Sequence, residues 1–297
     1  MKLLVTGASG FVGRNIIPLL REMYEVSTMG LSECNDIQID LAKKIPHLSK
    51  SYDIIFHAAG KAHSVPNNDG EKKLFLDVNL QGTINLCRAL EKTKLPEVFI
   101  LVSTVAVYGL EFGENITEEH PLNGNTAYAL SKIQAEQYLT EWCTKNKVKL
   151  GIIRPSLIAG KNAPGNLAAM VDGIKTGKYF SIGGGTARKS ILMVQDIATL
   201  LPLLVEKGGV YNVCDSEHPS FRELEEIICK QLDKNMPKSI PFVIAKIIAL
   251  LGDLLGAKAP INSLKLKKIS KSLTFSNEKA KKELKWEPLN VLDNYHL

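Results

Sequence analysis

The chain contains little cysteine, and what it has is widely scattered. Its 297 residues include five cysteines and no CxxC pair. A disulfide framework or a structural zinc site requires closely spaced or evenly paired cysteines, so we predict neither disulfides nor a metal site. A reducing, cytoplasmic environment is the expected location. The five are Cys34, Cys87, Cys143, Cys214 and Cys229.

The chain also lacks an apolar run long enough to cross a membrane. The longest run, Ile240 to Leu255, contains Lys246 and Asp253 and falls short of the roughly 20 apolar residues that a spanning helix needs. We predict a helix packed within a small lobe, in preference to one lying on a membrane surface. The opening residues Met1 to Gly7 are typical of a strand entering a turn, not of a cleaved signal peptide.

No block of one charge dominates the sequence. The net charge is +6, with lysines and arginines spread along the chain. This balance suits a small anionic substrate and does not indicate nucleic-acid binding. The densest basic stretch, Lys265 to Lys271, is interpreted as a solvated surface. With 45% hydrophobic and 23% charged residues, the composition is that of an ordinary globular protein.

The first half of the chain alternates short apolar runs with longer amphipathic stretches. This pattern predicts an α/β fold with a Rossmann-type, doubly wound parallel sheet. The predicted strands are Leu3 to Thr6, Glu25 to Met29, Asp53 to His57, Val98 to Ser103 and Lys149 to Arg154. The predicted helices are Val12 to Arg21, Lys72 to Lys92 and Thr126 to Lys145.

The alternation weakens after Pro155, where glycine clusters appear and helical segments follow. We therefore predict a dinucleotide-binding domain over residues 1–160, to which some later segments return. A smaller, mostly helical substrate lobe is expected over residues 161–297.

A glycine turn directly follows the first predicted strand and precedes a helix. Gly7 permits a tight turn, Gly10 allows a pyrophosphate to approach the backbone, and Gly13 allows close packing of helix and strand. The helix N-terminus adds free N–H donors and a partial positive charge. The residues predicted to hold a dinucleotide here are Gly7, Ser9, Gly10, Phe11, Val12 and Gly13.

The choice between NAD and NADP stays open at the end of the second strand. An acidic residue there usually binds the ribose 2′-hydroxyl of NAD, but this sequence has Gly30 at that position. No arginine follows closely to bind a 2′-phosphate, although Arg14 or Lys43 could reach it. We expect either cofactor, with NAD slightly favoured.

Tyr128 and Lys132 lie four residues apart, so they share one face of the helix that begins near Thr126. An unperturbed tyrosine has a pKa of about 10. A neighbouring lysine cation, together with an oxidised nicotinamide, should favour the phenolate and make Tyr128 a proton acceptor. Thr104, at the carboxyl end of a predicted strand, is positioned to hydrogen-bond the substrate oxygen where charge develops.

The stretch Leu101 to Gly109, with Tyr128 and Lys132, resembles the Ser/Thr, Tyr, Lys triad of extended short-chain dehydrogenases/reductases. The Gly-x-x-Gly-x-x-Gly spacing is similar to that family too. The resemblance implies that Thr104, Tyr128 and Lys132 are catalytic. It also implies cofactor contacts beyond the glycine turn, at Asp40, Leu41, His57, Ala58, Ala59, Gly60, Asn79, Ser103, Tyr128, Lys132, Pro155 and Leu157.

Later segments resemble the nucleotide-sugar epimerase/dehydratase branch of that family. They are Arg154-Pro155, Gly165-Asn166, Gly183 to Arg188 with Val194 to Ala198, and Glu283 to Pro288, where Lys285 replaces the usual glycine. This resemblance implies that Lys61, Thr104, Asn166 and Arg188 bind substrate.

Dehydratases of this branch have an Asp-Glu pair directly after the catalytic threonine. In this sequence Val105 and Ala106 follow Thr104 instead. The resemblance therefore implies a 4-epimerase or a 4-keto reductase acting at C4 of a sugar nucleotide, with UDP the expected nucleotide. The stretch Ala59 to Ser64 is similar to a subgroup serving surface polysaccharide synthesis. The resemblance also makes a homodimer a possible assembly. The alternative is a non-catalytic NAD(P)-binding redox sensor or scaffold.

Overall fold

The computed structural model describes residues 1–62, 64–254 and 261–297. Its strands are β1 (Lys2–Thr6), β2 (Glu25–Gly30), β3 (Ile37–Gln38), β4 (Ile54–His57), β5 (Val98–Val102), β6 (Gly113–Ile116), β7 (Lys149–Pro155), β8 (Leu157–Ala159), β9 (Ser181–Ile182), β10 (Ile191–Met193), β11 (Gly209–Val213), β12 (Ser239–Ile240) and β13 (Leu273–Phe275).

The α-helices in these residues are α1 (Phe11–Leu20), α2 (Asp69–Leu76), α3 (Gly82–Leu90), α4 (Ala127–Asn146), α5 (Asn166–Lys175), α6 (Asp196–Lys207), α7 (Phe221–Leu232), α8 (Phe242–Asp253), α9 (Ser263–Ser270), α10 (Glu278–Leu284) and α11 (Val291–Asn294).

Seven parallel strands form the central sheet, in the order β11-β7-β5-β4-β1-β2-β3. The strand order reverses between β1 and β4, where Thr6 pairs with His57 at the carboxyl ends. Ligands of open α/β sheets bind in the crevice at such a reversal. The prediction of a doubly wound parallel sheet is confirmed.

Strand β5 and most of β1 and β4 are apolar because helices cover both faces of the sheet. Every residue of β4 and β5 is buried. One core, which includes Leu3, Phe56 and Ile100, lies on one face under α1 and α6. Another, which includes Leu4, Ile55 and Trp142, lies on the opposite face under α3 and α4. Continuous burial explains why these strands show no alternation of apolar and polar residues.

The helix predicted over Lys72 to Lys92 is not continuous. The structure divides it into α2, a π-helical segment at Asp77–Gln81, and α3. A π-segment inserts an extra residue into the turn and is frequent at functional sites. Here it carries Asn79, whose side chain binds the backbone of Lys61.

The C-terminal part contains short two-stranded sheets and helices, and it returns twice to the main sheet. Strand β11 pairs with β7, and Trp286 is buried in the core under the sheet. A separate core around Met170, Ile191 and Ile228 belongs to the smaller lobe. The domain limits at residues 160 and 161 stay a prediction.

Helix α8 covers most of the apolar run singled out in the sequence; Leu255 lies outside the described residues. The prediction of a packed helix holds for only one narrow face of α8. The buried residues of this helix are Ala245, Ala249 and Gly252. The larger apolar side chains on α8 are exposed, with Val243 at 70% and Leu251 at 62%. Among the described residues, no helix has both the length and the apolarity that a membrane crossing requires.

Candidate active site

The glycine turn after β1 lies tightly against two pieces of backbone. Gly7 has φ +73°, and a Cβ at this position would lie 2.6 to 2.8 Å from backbone atoms of Ala58 and Ala59. A Cβ at Gly13 would lie 2.5 to 2.6 Å from backbone atoms of Gly7 and Ala8. Neither neighbour is a flexible side chain, so both positions require glycine.

Helix α1 presents its N-terminus at this turn without a side chain to cap it. Gly10 is the N-cap, and the first turn contains no acidic residue. The leading N–H groups of a helix have no intrahelical acceptors and attract anions. Ser9, Phe11 and Val12 are half-buried beside them. The uncapped N–H donors, together with glycines that leave room for a ligand, fit the pyrophosphate of a dinucleotide.

We expect Gly13→Ala to weaken NAD(P) binding at least tenfold, because the new methyl group must push α1 away from the turn. Titration of cofactor fluorescence measures this change. Gly151→Ala is the matched control, since its Cβ would meet only the Ile100 and Leu204 side chains, at ordinary distances of 3.4 to 3.7 Å. Equal affinity in Gly13→Ala and wild-type protein would contradict the assignment of the turn.

The end of β2 carries no free carboxylate. A Cβ at Gly30 would lie 3.2 Å from the Asn35 amide nitrogen. The nearby Asp36 accepts hydrogen bonds from the Thr28 N–H and hydroxyl, at 2.8 and 2.9 Å, and these lower the pKa of its carboxyl. The Asn35 Oδ1 atom is buried without a hydrogen-bond partner. The Asp36 carboxylate is therefore engaged within the protein, and the choice between NAD and NADP stays open at this strand end.

Asp40 and Leu41, predicted on the adenine side, lie in the loop that follows β3. Asp40 accepts a hydrogen bond from the Ala42 N–H at 3.0 Å and pairs with Lys43 at 3.5 Å. The buried Leu41 accepts a hydrogen bond from Asn85 of α3 through its carbonyl, at 2.8 Å. Their contact with a cofactor stays a prediction.

His57 is a buried structural histidine within the site. Its ring nitrogens lie 2.7 Å from the Thr6 hydroxyl and 2.9 Å from the Thr83 hydroxyl. Burial, together with the charge of Lys132, lowers the pKa of His57 to about 3, so the ring is neutral. Both nitrogens are satisfied within the protein. His57 therefore stabilises the β4 end, and the following Ala58 to Gly60 turn borders the crevice.

Asn79 fixes that turn from the π-helical segment. Its Oδ1 accepts from the Lys61 N–H at 2.7 Å, and its Nδ2 donates to the Lys61 carbonyl at 3.1 Å and to the Ser131 hydroxyl at 2.8 Å. A Cβ at Gly60 would lie 3.1 Å from Asn79 and 3.3 Å from the Lys132 ammonium. The turn is thus tied to α4. The Lys61 ammonium lies 5.4 Å from the Phe75 ring centre, and His63 lies outside the described residues.

The three predicted catalytic residues come together at the carboxyl end of β5. The Thr104 hydroxyl hydrogen-bonds the Tyr128 phenol, and it also accepts from the Ala106 N–H at 3.1 Å. Lys132 is buried one turn along α4 from Tyr128 and donates to the Val102 carbonyl at 2.8 Å. The same lysine borders Gly60, whose turn contacts Gly7. Phenol, hydroxyl and ammonium therefore adjoin the cofactor crevice.

Burial is the main influence on the pKa of the Tyr128 phenol, and the expected effect of the lysine together with an oxidised nicotinamide stays a prediction. Burial raises the pKa of the phenol, and the hydrogen bond with Thr104 offsets only part of this rise. Burial also lowers the pKa of Lys132 to about 8, while the charge of Glu136 raises it. Desolvation is thus the largest effect on the pKa of both groups. The phenol is protonated at neutral pH, which is the form that donates a proton to a carbonyl oxygen.

Sequence reasoning missed a buried polar network beneath this triad. Arg154 pairs with Glu136 at 2.6 Å and also donates to the Tyr108 hydroxyl at 3.0 Å. The Ser103 hydroxyl donates to the same Glu136 carboxylate. Ser103 therefore turns its side chain into the protein, so only its backbone could meet a cofactor. Glu136 follows Lys132 by four residues, a spacing that could have indicated the link.

A cavity of about 740 Å³ opens between the sheet domain and the smaller lobe. Leu157 and Asn166, both predicted binding residues, line it, whereas the neighbouring Pro155 is buried at the end of β7. Ser156 also lines the cavity; its hydroxyl is buried without a partner, and no sequence motif had singled it out. Val105, directly after Thr104, places the cavity beside the catalytic group.

Arg188 does not line this cavity. Its guanidinium binds the His218 carbonyl at 2.8 Å and Glu223 at 3.3 Å, and the side chain is 54% exposed. The next residue, Lys189, does line the cavity, and burial lowers the pKa of its ammonium to about 8. Lys268 lies on the same wall, paired with Glu111 at 3.3 Å. Substrate binding by Arg188 stays a prediction, and the cavity's own cations are lysines.

The described ranges, 1–62, 64–254 and 261–297, contain no cluster of three histidine, cysteine, aspartate or glutamate side chains that could hold a metal ion. All five cysteines are free thiols.

Comparison with known proteins gives concordant results. The chain is 27% identical over 296 residues to N-acetyl-alpha-D-glucosaminyl-diphospho-ditrans,octacis-undecaprenol 4-epimerase of Escherichia coli O157:H7, covering 93% of this chain and 87% of that protein. It is 28% identical over 259 residues to GDP-6-deoxy-D-mannose reductase of Pseudomonas aeruginosa, covering 76% and 79%.

Solved structures share the fold. UDP-glucuronic acid 4-epimerase from Bacillus cereus, in complex with NAD, superposes with a TM-score of 0.76 at 20% identity, covering 99% of this chain and 95% of that one. RMD from Pseudomonas aeruginosa, in complex with NADPH, gives a TM-score of 0.74 at 22% identity, covering 98% and 94%.

A family model described as "NAD dependent epimerase/dehydratase family" matches residues 3–214, which include the glycine turn, the triad and the cavity residues Leu157 and Asn166. The chain therefore belongs to the NAD-dependent epimerase/dehydratase family and is an enzyme that uses NAD or NADP.

Proposed function

We propose that this enzyme transfers hydride at C4 of a sugar carried on a diphosphate, as a 4-epimerase or a 4-keto reductase, in the synthesis of a surface polysaccharide. The observation that carries the proposal is the Tyr128 phenol, hydrogen-bonded to Thr104 beside the glycine turn. Val105 and Ala106 follow Thr104, so no carboxyl pair for eliminating water comes directly after the catalytic threonine.

In this proposal each residue of the triad has a distinct task at the C4 oxygen. Tyr128 gives its proton to that oxygen during reduction and takes it back during oxidation. The Thr104 hydroxyl hydrogen-bonds the same oxygen as charge develops on it. The Lys132 cation stabilises the phenolate that remains. Bound nicotinamide would accept or supply the hydride at C4.

The cavity supports a diphosphate-linked sugar as the substrate class. Lys189 and Lys268 supply positive charge on one wall, and the unpaired Ser156 hydroxyl is available for a polar group of the sugar. Asn166 begins α5 at the same wall. The two curated relatives act, by their names, on a sugar joined to undecaprenol through a diphosphate and on a GDP-sugar. UDP, GDP and polyprenyl diphosphates share the group that these lysines would bind.

One assay separates the two reactions. Pure enzyme is incubated with UDP-sugars, GDP-sugars, a polyprenyl diphosphate sugar and the corresponding 4-keto sugars, with NADH or NADPH. Cofactor oxidised in proportion to product indicates a reductase, and a new C4 isomer without net cofactor change indicates an epimerase. Absence of both products with every donor, in protein shown to bind cofactor, would contradict the proposal.

A further inference from the structure

The outward face of α8 is apolar, although it lies on the surface. Taking 100° per residue, seven of the eight large exposed apolar side chains between Phe242 and Leu254 cover an arc of about 160°, opposite the buried Ala245, Ala249 and Gly252. They are Val243, Ile244, Ile247, Ile248, Leu250, Leu251 and Leu254. A helix that faces water on one side normally carries polar residues there. We call these seven residues the α8 apolar face.

Helix α9 packs beside α8 and supplies positive charge. Leu266 of α9 is buried against Ala245 and Ala249. The Asp253 carboxylate accepts hydrogen bonds from the Ser263 N–H at 2.9 Å and the Ser263 hydroxyl at 2.6 Å, which joins the end of α8 to the start of α9. The two helices thus form one unit. The sequence from Phe242 to Lys271 contains six lysines and one acidic residue, Asp253.

We propose that the α8 apolar face docks on an anionic lipid bilayer, lying in its interface while the neighbouring lysines contact the headgroups. At 12 residues, α8 is about 18 Å long, too short to span but long enough to lie in the membrane plane. Lys246 of α8 is exposed, and so are Lys267 and Lys271 of the adjoining segment, whose ammonium groups lie 5.1 and 4.4 Å from the Phe112 ring centre. Anionic lipid attracts such lysines and apolar side chains together.

Charge favours a bilayer over a second copy of the chain. In a two-fold contact the same patch meets itself, so the lysines around α8 would approach lysines of the same sign. An anionic lipid surface removes this repulsion and also covers the apolar side chains. The excess of lysine over acid in this segment is therefore complementary to the lipid.

The proposed docking unit borders the substrate cavity. Lys265, Lys268 and Ile269 of α9 line the cavity, and Gly183, beside the cavity residue Ile182, lies next to Phe242 of α8. Docking would hold the cavity near the headgroups. If the proposed function holds, a sugar diphosphate carried on a membrane lipid would reach the cavity from the bilayer; that step, unlike docking, rests on the proposed function.

Vesicle flotation tests the docking. Purified full-length chain is mixed with vesicles of phosphatidylcholine alone, or of equal parts phosphatidylcholine and phosphatidylglycerol. We expect the wild-type chain to float with the mixed vesicles and much less with phosphatidylcholine. Ile247→Ser/Leu251→Ser should reduce the bound fraction at least tenfold, and Lys246→Glu/Lys267→Glu should remove the preference for phosphatidylglycerol. Met23→Ser/Leu289→Ser, which changes two exposed apolar residues elsewhere, should float like wild type.

Three results would overturn the inference: no flotation of the wild-type chain with either vesicle, equal flotation of the Ile247→Ser/Leu251→Ser variant, or a wild-type dimer in light scattering that this variant converts to monomer. The last would assign the face to a second copy. Melting temperature and turnover of a soluble sugar nucleotide should match wild type in every surface variant. Loss of docking is thus distinguishable from failure of the proposed chemistry.

Discussion

Tyr128→Phe is expected to reduce turnover by about 10² to 10⁴-fold while leaving the protein folded and able to bind NAD(P). The substitution removes only the hydroxyl that exchanges a proton with the substrate oxygen. The ring keeps its contact with Phe75, whose centre lies 6.2 Å away. The measurement is the steady-state rate with the donor identified in the substrate assay, alongside cofactor titration and thermal melting.

Tyr138→Phe is the matched control for this prediction. Tyr138 is also a half-buried tyrosine of α4, but its phenol contacts Cys87 and not the triad. We expect its loss to leave turnover within a few-fold of wild type. If Tyr128→Phe retained turnover within tenfold of wild type, the phenol would not be the proton donor, and the proposed function would lose its main support.

The parallel sheet could be predicted from sequence because its signal is local. Strands β1, β4, β5 and β7 are rich in valine, isoleucine and leucine because they are mostly buried, and their polar residues lie at or near the strand ends. The π-segment at Asp77–Gln81 could not be predicted in this way. Its extra residue serves a contact between Asn79 and Lys61 that depends on tertiary structure, while the surrounding helical pattern is unbroken.

The packing of the smaller lobe was harder to predict from the sequence, because it too depends on tertiary contacts. An apolar helix such as α8 has the same sequence pattern whether it is covered by protein or by lipid, so burial could not be read from hydrophobicity. For the candidate site, motif position located Thr104, Tyr128 and Lys132. The pKa of Tyr128 is raised by burial, and burial depends on neighbours that are distant in sequence and are not visible in the motif.

Arg188 and Lys189 show that a sequence motif does not decide which single side chain faces the cavity. Both are basic residues in the same short segment, and the sequence motif favoured the arginine. The structure turns Arg188 toward Glu223, while Lys189 lines the cavity. One step along an extended chain reverses the side on which a side chain lies, so a motif matched by resemblance does not decide which of two neighbouring cations faces the ligand.

Glu136→Gln is expected to destabilise the fold by about 3 to 5 kcal/mol, because it leaves the Arg154 guanidinium buried without its counter-charge. The Arg154 and Glu136 side chains are 7% and 5% exposed. The guanidinium donates two hydrogen bonds to the carboxylate, at 2.6 and 3.2 Å. Urea unfolding measures the change. Glu226→Gln is the control: Glu226 pairs with Arg222 at 3.0 Å on the surface, where such pairs contribute at most about 1 kcal/mol.

The same substitution should also shift the pH dependence of turnover. Lys132, whose pKa is about 8, supports the phenolate only as a cation, so wild-type activity should fall as pH rises through this value. The Glu136 carboxylate raises the pKa of Lys132, and its removal lowers that pKa further. The alkaline decline in Glu136→Gln should therefore begin at lower pH, in protein kept folded by low temperature. An unchanged alkaline limb together with lost stability would restrict Glu136 to holding Arg154, with no electrostatic effect on the catalytic lysine.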